Sequence, residues 1–110
     1  MVRDYLRMGI KPDVWKLEGL TKASEWKKLA KIVKAPMIVL GRGQSKAEVE
    51  RWVVEAAKSG VVDGFAIGRT IFMGPLLDYT KKKCTRAQAV DRIAKNYLHF
   101  VNLWHKTAIK

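Results

Sequence analysis

The chain has 110 residues, of which 48% are hydrophobic and 29% are charged. This balance excludes disordered and fibrous proteins, and the length allows one core, so we treat residues 1–110 as a single domain. No apolar run reaches the roughly 18 residues that a membrane span needs, and no apolar stretch follows Met1 as in a signal peptide. The sequence therefore predicts a cytoplasmic protein without a membrane partner.

The charge balance is strongly basic. Lys and Arg number 22 against 10 Asp and Glu, which gives a formal net charge of +12 and a field that attracts anions of any kind. The lysines concentrate on the outer sides of predicted helices and in the run Lys81–Lys83, which is more typical of a solvated face than of a nucleic-acid interface. A small anion is thus favoured over nucleic acid as the partner.

The first third of the chain predicts a helix end followed by one strand and one helix. Val2 to Met8 is typical of the last turns of a helix, with Gly9 as its C-cap. An apolar segment from Val14 to Leu17 predicts a short strand, and apolar residues at helical spacing predict a helix near Ser24 to Lys34.

A second strand and helix follow with clearer boundaries. Met37–Leu40 is continuously apolar and predicts a buried strand, which leads into the loop Gly41-Arg42-Gly43-Gln44. Ser45 with Glu48 three residues later forms a capping-box pattern at a helix start, and Gly60 stands where a C-cap belongs.

The third unit has a strand at Phe65 to Ile67, the turn Gly68-Arg69-Thr70, and a short helix near Pro75 to Lys82. Thr85 with Gln88 then caps a long final helix. The residues expected on its apolar face are Ala89, Ile93, Tyr97, Val101 and Trp104.

Apolar strands that alternate with helices imply βαβ crossovers and a parallel sheet. The predicted fold class is α/β: a partial (β/α)-barrel of about three βα units with parallel strands and a long C-terminal helix. Three such strands leave two unpaired edges, which is a liability for aggregation. We therefore expect either a homo-oligomer or the missing N-terminal half of a barrel to complete the sheet.

The loops that follow parallel strands emerge at the same edge of a sheet, where α/β proteins place their binding sites. Gly41, Arg42 and Gly43 lie in one such loop, and Gly68 and Arg69 lie in the next. Glycine lets the backbone approach a ligand closely, and arginine offers two parallel donors to phosphate oxygens. The pattern predicts a phosphate-binding site.

Lys16 and Glu18 alternate with apolar residues in the first strand, so both charges share one face. If that face is a barrel interior, Lys16 is a buried amine that can act as a nucleophile and form a Schiff base. The alternative is that Lys16 and Glu18 form an ordinary charge pair at a barrel mouth.

Two strings taken together, Gly9-Ile10-Lys11-Pro12-Asp13-Val14-Trp15-Lys16-Leu17-Glu18 and Gly64-Phe65-Ala66-Ile67-Gly68-Arg69-Thr70-Ile71-Phe72, resemble a known domain. They look like the C-terminal part of the 2-deoxy-5-keto-gluconate 6-phosphate aldolase domain of inositol catabolism. More distantly, they are similar to tagatose-bisphosphate and sulfofructose-phosphate aldolases. The resemblance covers nearly the whole chain.

That resemblance implies a class I aldolase with a (β/α)₈ barrel, of which this chain supplies strands six to eight. By that likeness Lys16 is the Schiff-base lysine and Glu18 a catalytic partner, while Gly41 to Gly43 and Gly68-Arg69 hold the phosphate. The implied reaction cleaves a carbon–carbon bond in a phosphorylated keto sugar acid, giving dihydroxyacetone phosphate and malonate semialdehyde.

Three functions follow as hypotheses. The chain is an aldolase-like barrel portion that is active when the barrel is complete, a non-catalytic phosphate-binding fragment, or a basic nucleic-acid binder. His99 and His105, six residues apart on the last helix, do not share a face, and no metal-ligand spacing occurs elsewhere. The sequence thus predicts no metal and no cofactor, and its expected ligand is a phosphorylated sugar or sugar acid.

Overall fold

The structure, a computed structural model, describes residues 1–108, and within that range it has three strands and five helices. In chain order these are α1 (Val2–Arg7), β1 (Trp15–Glu18), α2 (Ala23–Ala30), β2 (Met37–Leu40), α3 (Lys46–Ser59), β3 (Gly64–Ala66), α4 (Arg69–Thr80) and α5 (Arg86–Ala108). The predicted α/β class, with three βα units and a long final helix, is confirmed. None of these helices is long and apolar enough to cross a membrane.

The three strands form one parallel sheet in the order β1-β2-β3. In its register, Lys16, Ile38 and Gly64 lie side by side at one level across the three strands. Two residues further along, Glu18, Leu40 and Ala66 lie side by side in the same way. Because side chains alternate across a strand, residues at one level point to the same face of the sheet.

Helices cover one face of the sheet and leave the other face largely exposed. One face carries Trp15, Leu17, Met37 and Val39, which are all buried in the main core together with Trp26 of α2 and Ala56 of α3. The other face, which we call the open face, carries exposed Lys16 and Glu18 beside half-buried Ile38 and Leu40. A Cβ added to Gly64 would meet no atom within 4 Å, so this face is uncovered there as well.

The predicted helix boundaries hold where a capping side chain or a glycine fixes them. The Ser45 hydroxyl accepts a hydrogen bond from the Glu48 N–H at 3.3 Å, and α3 ends at Gly60 with φ of 72°. Thr85 and Gln88 exchange backbone and side-chain hydrogen bonds of 2.8 and 3.1 Å at the start of α5. The capping box at Thr85 and Gln88 is confirmed, whereas at Ser45 only the bond to the Ser45 hydroxyl is found and the Glu48 carboxylate pairs with Arg51.

Helix α4 begins six residues earlier than the sequence predicts, at Arg69, and Pro75 lies inside it. Proline has no N–H, so the carbonyl of Ile71, four residues earlier, loses its helical donor. The side-chain amide of Asn96 on α5 donates to that carbonyl at 2.9 Å instead. The interior proline is therefore tolerated because a neighbouring helix supplies the missing hydrogen bond.

The prediction for the apolar face of α5 is wrong at Tyr97, which is 51% exposed, whereas Phe100 is buried. Steps of four residues advance about 40° beyond a full turn each, so a stripe spaced only by fours drifts around the helix. The observed stripe mixes steps of three and four, through Ala89, Ile93, Asn96 and Phe100.

Two other boundaries differ by a few residues. Helix α2 ends at Ala30 rather than Lys34, because the N–H groups of Lys31 and Ile32 donate to carbonyls three residues earlier and the chain leaves the helix in a tight turn. Strand β3 covers Gly64–Ala66 rather than Phe65 to Ile67.

Candidate functional site: the carboxyl edge of the sheet

The carboxyl ends of β1 and β2 are joined by an ion pair. Glu18, the last residue of β1, accepts a hydrogen bond from Nη1 of Arg42 in the loop after β2. This hydrogen bond and the charge of Glu18 raise the pKa of Arg42 above its ordinary value. The alternative of a Lys16–Glu18 pair is not met, since the carboxylate of Glu18 pairs with Arg42.

The loop after β2 is a tight turn, in which the N–H of Gln44 donates to the carbonyl of Gly41 at 3.1 Å. Both central residues have left-handed backbone conformations, with φ of 53° at Arg42 and 71° at Gly43. The second of these positions suits glycine, while Arg42 adopts a conformation that non-glycine residues rarely take. Gly41 itself is buried against Val49 of α3.

The loop after β3 packs directly against this turn. A Cβ built on Gly43 would lie 2.6 Å from both Cζ and Nη2 of Arg69, so the guanidinium rests on the bare backbone of Gly43. The hydroxyl of Thr70 also donates to the carbonyl of Gln44 at 3.3 Å. The structure therefore brings together the two glycine-arginine loops that the sequence singled out.

Arg69 is the first residue of α4, and Gly68 is its N-cap. The Gly68 carbonyl accepts from the N–H groups of Ile71 and Phe72 at 2.8 and 3.1 Å. The first turn of α4 contains no acidic residue, whereas the first turn of α3 contains Glu48. The positive end of the α4 dipole is thus not offset by a carboxylate of its own helix.

Lys16 lies on the open face, two residues before the carboxyl end of β1. Its side chain is exposed, so the buried amine expected for a barrel interior is not found in this structure. Within residues 1–108, Lys16 forms no ion pair. Its predicted catalytic role, and that of Glu18, stay predictions.

One feature that supports this edge was not anticipated from the sequence. A Cβ added to Gly19 would lie 2.0 Å from Cγ of Trp52, so the indole of α3 occupies the space that any side chain at this position would need. Gly19 directly follows Glu18, and the contact fixes β1 and its loop against α3. The sequence offered only the glycine as a signal, without its partner.

In the part of the chain that the structure describes, no group of three or more His, Cys, Asp or Glu side chains is placed to hold a metal ion. The ionic groups at the carboxyl edge are instead Glu18, Arg42 and Arg69, with Lys16 nearby on the open face. Fold and edge together define an α/β protein of parallel βα units with a predominantly basic carboxyl edge.

The chain belongs to the family described as "Uncharacterized protein conserved in bacteria (DUF2090)", whose model matches residues 1–108. No curated protein and no solved structure matches it. The family match corrects the interpretation of the two sequence strings: residues 1–108 are the domain of this family and not a fragment of the 2-deoxy-5-keto-gluconate 6-phosphate aldolase domain. The resemblance rested on short glycine, lysine and arginine patterns, which many βα loops share.

Proposed function

We propose that the carboxyl edge of the sheet binds a small phosphate-bearing molecule, with Arg69 and the first turn of α4 as the main contacts. The observation that carries the proposal is the packing of the Arg69 guanidinium on Gly43. An arginine at the first position of a helix places its own charge beside the unpaired backbone N–H groups of that helix start. Both features favour the same ligand, an oxyanion.

The surrounding charges support an anion rather than a cation at this edge. Arg69 forms no ion pair within residues 1–108, while Arg42 neutralises Glu18. The exposed Lys16 adds a further positive charge on the open face. A sugar or sugar acid attached to the phosphate would extend over the half-buried Leu40 and Ala66 of that face.

Carbon–carbon bond cleavage through Lys16 is not part of this proposal. The amine lies exposed on the open face rather than in the desolvated interior that activates a nucleophilic lysine. The proposal therefore concerns binding of the phosphate group alone.

Isothermal titration calorimetry with inorganic phosphate and ribose 5-phosphate tests the proposal, with ribose as the unphosphorylated control. We expect binding of both phosphates and none of ribose. Arg69→Gln should weaken binding about tenfold, because hydrogen bonds to charged groups are worth roughly 1.5–3 kcal/mol. Arg86→Gln, which removes the same charge from the start of α5 at the other end of α4, should leave affinity within about twofold.

Equal losses in the two variants would contradict the proposal, because they would show attraction to the net charge rather than to a site. Tighter binding of a short DNA strand than of ribose 5-phosphate, with affinity that falls steeply with salt, would favour the nucleic-acid alternative.

A further inference from the structure

An apolar groove lies beside β1, between helices α1 and α2. Its inner part has a volume of about 390 Å³ and is bounded by buried Val2 of α1, buried Leu17 of β1 and half-buried Leu29 of α2. Half-buried Leu20 and Ile32 complete the aliphatic wall. Small-molecule sites are mostly apolar and measure roughly 300–1,000 Å³, so the inner part has the size and lining of such a site.

The groove opens into a wider mouth. This mouth has a volume of about 600 Å³ and shares four lining residues with the inner part. The shared residues are Arg3, Leu20, Leu29 and Ile32. The two parts are therefore one continuous groove. Lys28 and Lys31 line the mouth but not the inner part, so the basic residues collect at one end.

The local sequence places the two lysines beside the aliphatic wall. Lys28 and Lys31 are three residues apart, and so are Leu29 and Ile32. Residues at this spacing are neighbours on a helical surface. The turn that ends α2 keeps Ile32 next to Leu29, because the N–H of Ile32 donates to the Leu29 carbonyl at 2.9 Å. A row of amines thus runs alongside a row of aliphatic side chains.

The charges that the groove offers to a ligand are positive. Arg3, Lys28 and Lys31 are exposed, and they form no ion pair within residues 1–108. Two carboxylates also line the groove, but both already accept hydrogen bonds from the protein. Glu18 pairs with the arginine of the loop after β2, and Glu25 accepts from a backbone N–H at the start of α2.

We propose that this groove binds the anion of a single-chain fatty acid. The alkyl chain lies along the aliphatic wall of the inner part, where it displaces water, and the carboxylate lies in the mouth beside Arg3, Lys28 and Lys31. The carboxylate of Glu25 also lines the mouth and repels anions, which favours a head group of one negative charge over a phosphate of nearly two. This inference does not depend on phosphate binding at the carboxyl edge.

Isothermal titration calorimetry with octanoate, decanoate and dodecanoate, each below its micelle concentration, tests the inference. Every two added methylenes should tighten binding about tenfold, because each buried methylene contributes roughly 0.8 kcal/mol. 1-Octanol has the same chain length as octanoate but no charge. We expect it to bind about fivefold more weakly than octanoate at low salt, since it gains nothing from the cations of the mouth.

Two double variants of equal net charge separate the mouth from general attraction to a basic protein. Lys28→Gln with Lys31→Gln removes two cations of the mouth and should weaken dodecanoate binding about tenfold at low salt. Lys27→Gln with Lys34→Gln removes two exposed cations of the same segment that do not line the groove. This control should leave the affinity within about twofold of wild type.

A third variant tests the aliphatic wall. Leu20→Glu places a charge where the two parts of the groove meet, and it should weaken dodecanoate binding at least about tenfold. Leu76→Glu is the matched control, because Leu76 is 41% exposed on α4 and does not line the groove. If circular dichroism shows that Leu20→Glu does not fold, Leu20→Trp replaces it, since the indole fills the groove without adding a charge.

Four outcomes would overturn the inference. These are an affinity that does not rise with chain length, equal losses in the two double lysine variants, equal losses in the two glutamate variants, and dodecanoate binding that survives Leu20→Trp. Tighter binding to phosphatidylglycerol vesicles than to dodecanoate, unaffected by Leu20→Glu, would overturn it in favour of an anionic membrane surface.

Discussion

The two glycine-arginine loops have similar sequences but different electrostatic states. Arg42 is committed to Glu18 of the neighbouring strand, which raises the pKa of the arginine. Arg69 rests on the backbone of Gly43 at the start of α4 and has no carboxylate partner within residues 1–108. The same residue types therefore form an ion pair within the protein in the first loop, whereas the arginine of the second loop has a charge that a ligand can use.

The largest expected effect comes from adding one methyl group to the first loop. Gly43→Ala places a side chain at φ of 71°, which costs roughly 1–2 kcal/mol, and also displaces the guanidinium of Arg69. Urea unfolding should show a loss of at least that size, and phosphate binding should weaken. Gly68→Ala is the matched control, because its φ is −115° and its Cβ would approach only Phe72, at 3.3 Å.

We expect Gly68→Ala to change stability by less than about 1 kcal/mol. If the two alanine variants lost equal stability, the asymmetry between the loops would have no support.

The next effect should come from releasing the paired arginine. Glu18→Gln removes the charge that holds Arg42, so the carboxyl edge gains a second free cation. We expect phosphate affinity to rise about threefold at low salt, measured by calorimetry, and the gain to vanish at high salt. Glu48→Gln, which removes a carboxylate from the first turn of α3, is a matched control for net charge, and an equal gain there would show that the pairing is irrelevant.

Raising the pH should not release Arg42 in the wild type. Glu18 moves the pKa of Arg42 upward, so the protonated, paired form persists through any pH at which the protein is handled. Phosphate affinity should therefore show no step that is due to Arg42 as pH rises through neutrality.

The smallest effect should come from the hydrogen bond that joins the loops. Thr70→Val removes the donor to the Gln44 carbonyl, an exposed contact of 3.3 Å, and should cost about 0.5 kcal/mol in thermal or urea unfolding. Thr80→Val, which removes a hydroxyl that donates to the Leu77 carbonyl in the last turn of α4, serves as reference. A much larger loss at Thr70 would mean that the two loops are held together mainly by this bond rather than by the packing of Arg69.

Local signals predicted much of the fold. The apolar run of β2 and the caps at Ser45, Gly60 and Thr85 fixed their elements, because each acts through neighbours in the chain. The start of α4 was missed, since Pro75 is a common first helical residue and the compensating donor, Asn96, lies on another helix.

The candidate site was predicted in position but not in its pairings. Parallel topology is enough to bring Gly43 and Arg69 to one edge. Which arginine meets a carboxylate depends on side-chain directions in three loops, and the sequence offered only a Lys16–Glu18 pair, as an alternative, for the carboxylate of Glu18. The exposure of Lys16 also could not be foreseen, because alternation along a strand defines a face and not what covers it.

The amide of Asn96 carries a consequence for the chemical ageing of the protein. It donates to the Ile71 carbonyl in the first turn of α4. A side chain 25 residues after Ile71 therefore stabilises the helix start that contains Arg69. Deamidation would replace this donor with a carboxylate, which only accepts hydrogen bonds and would repel the carbonyl oxygen. A change of one mass unit in the middle of α5 would then loosen the start of α4 and with it the carboxyl edge that contains Arg69.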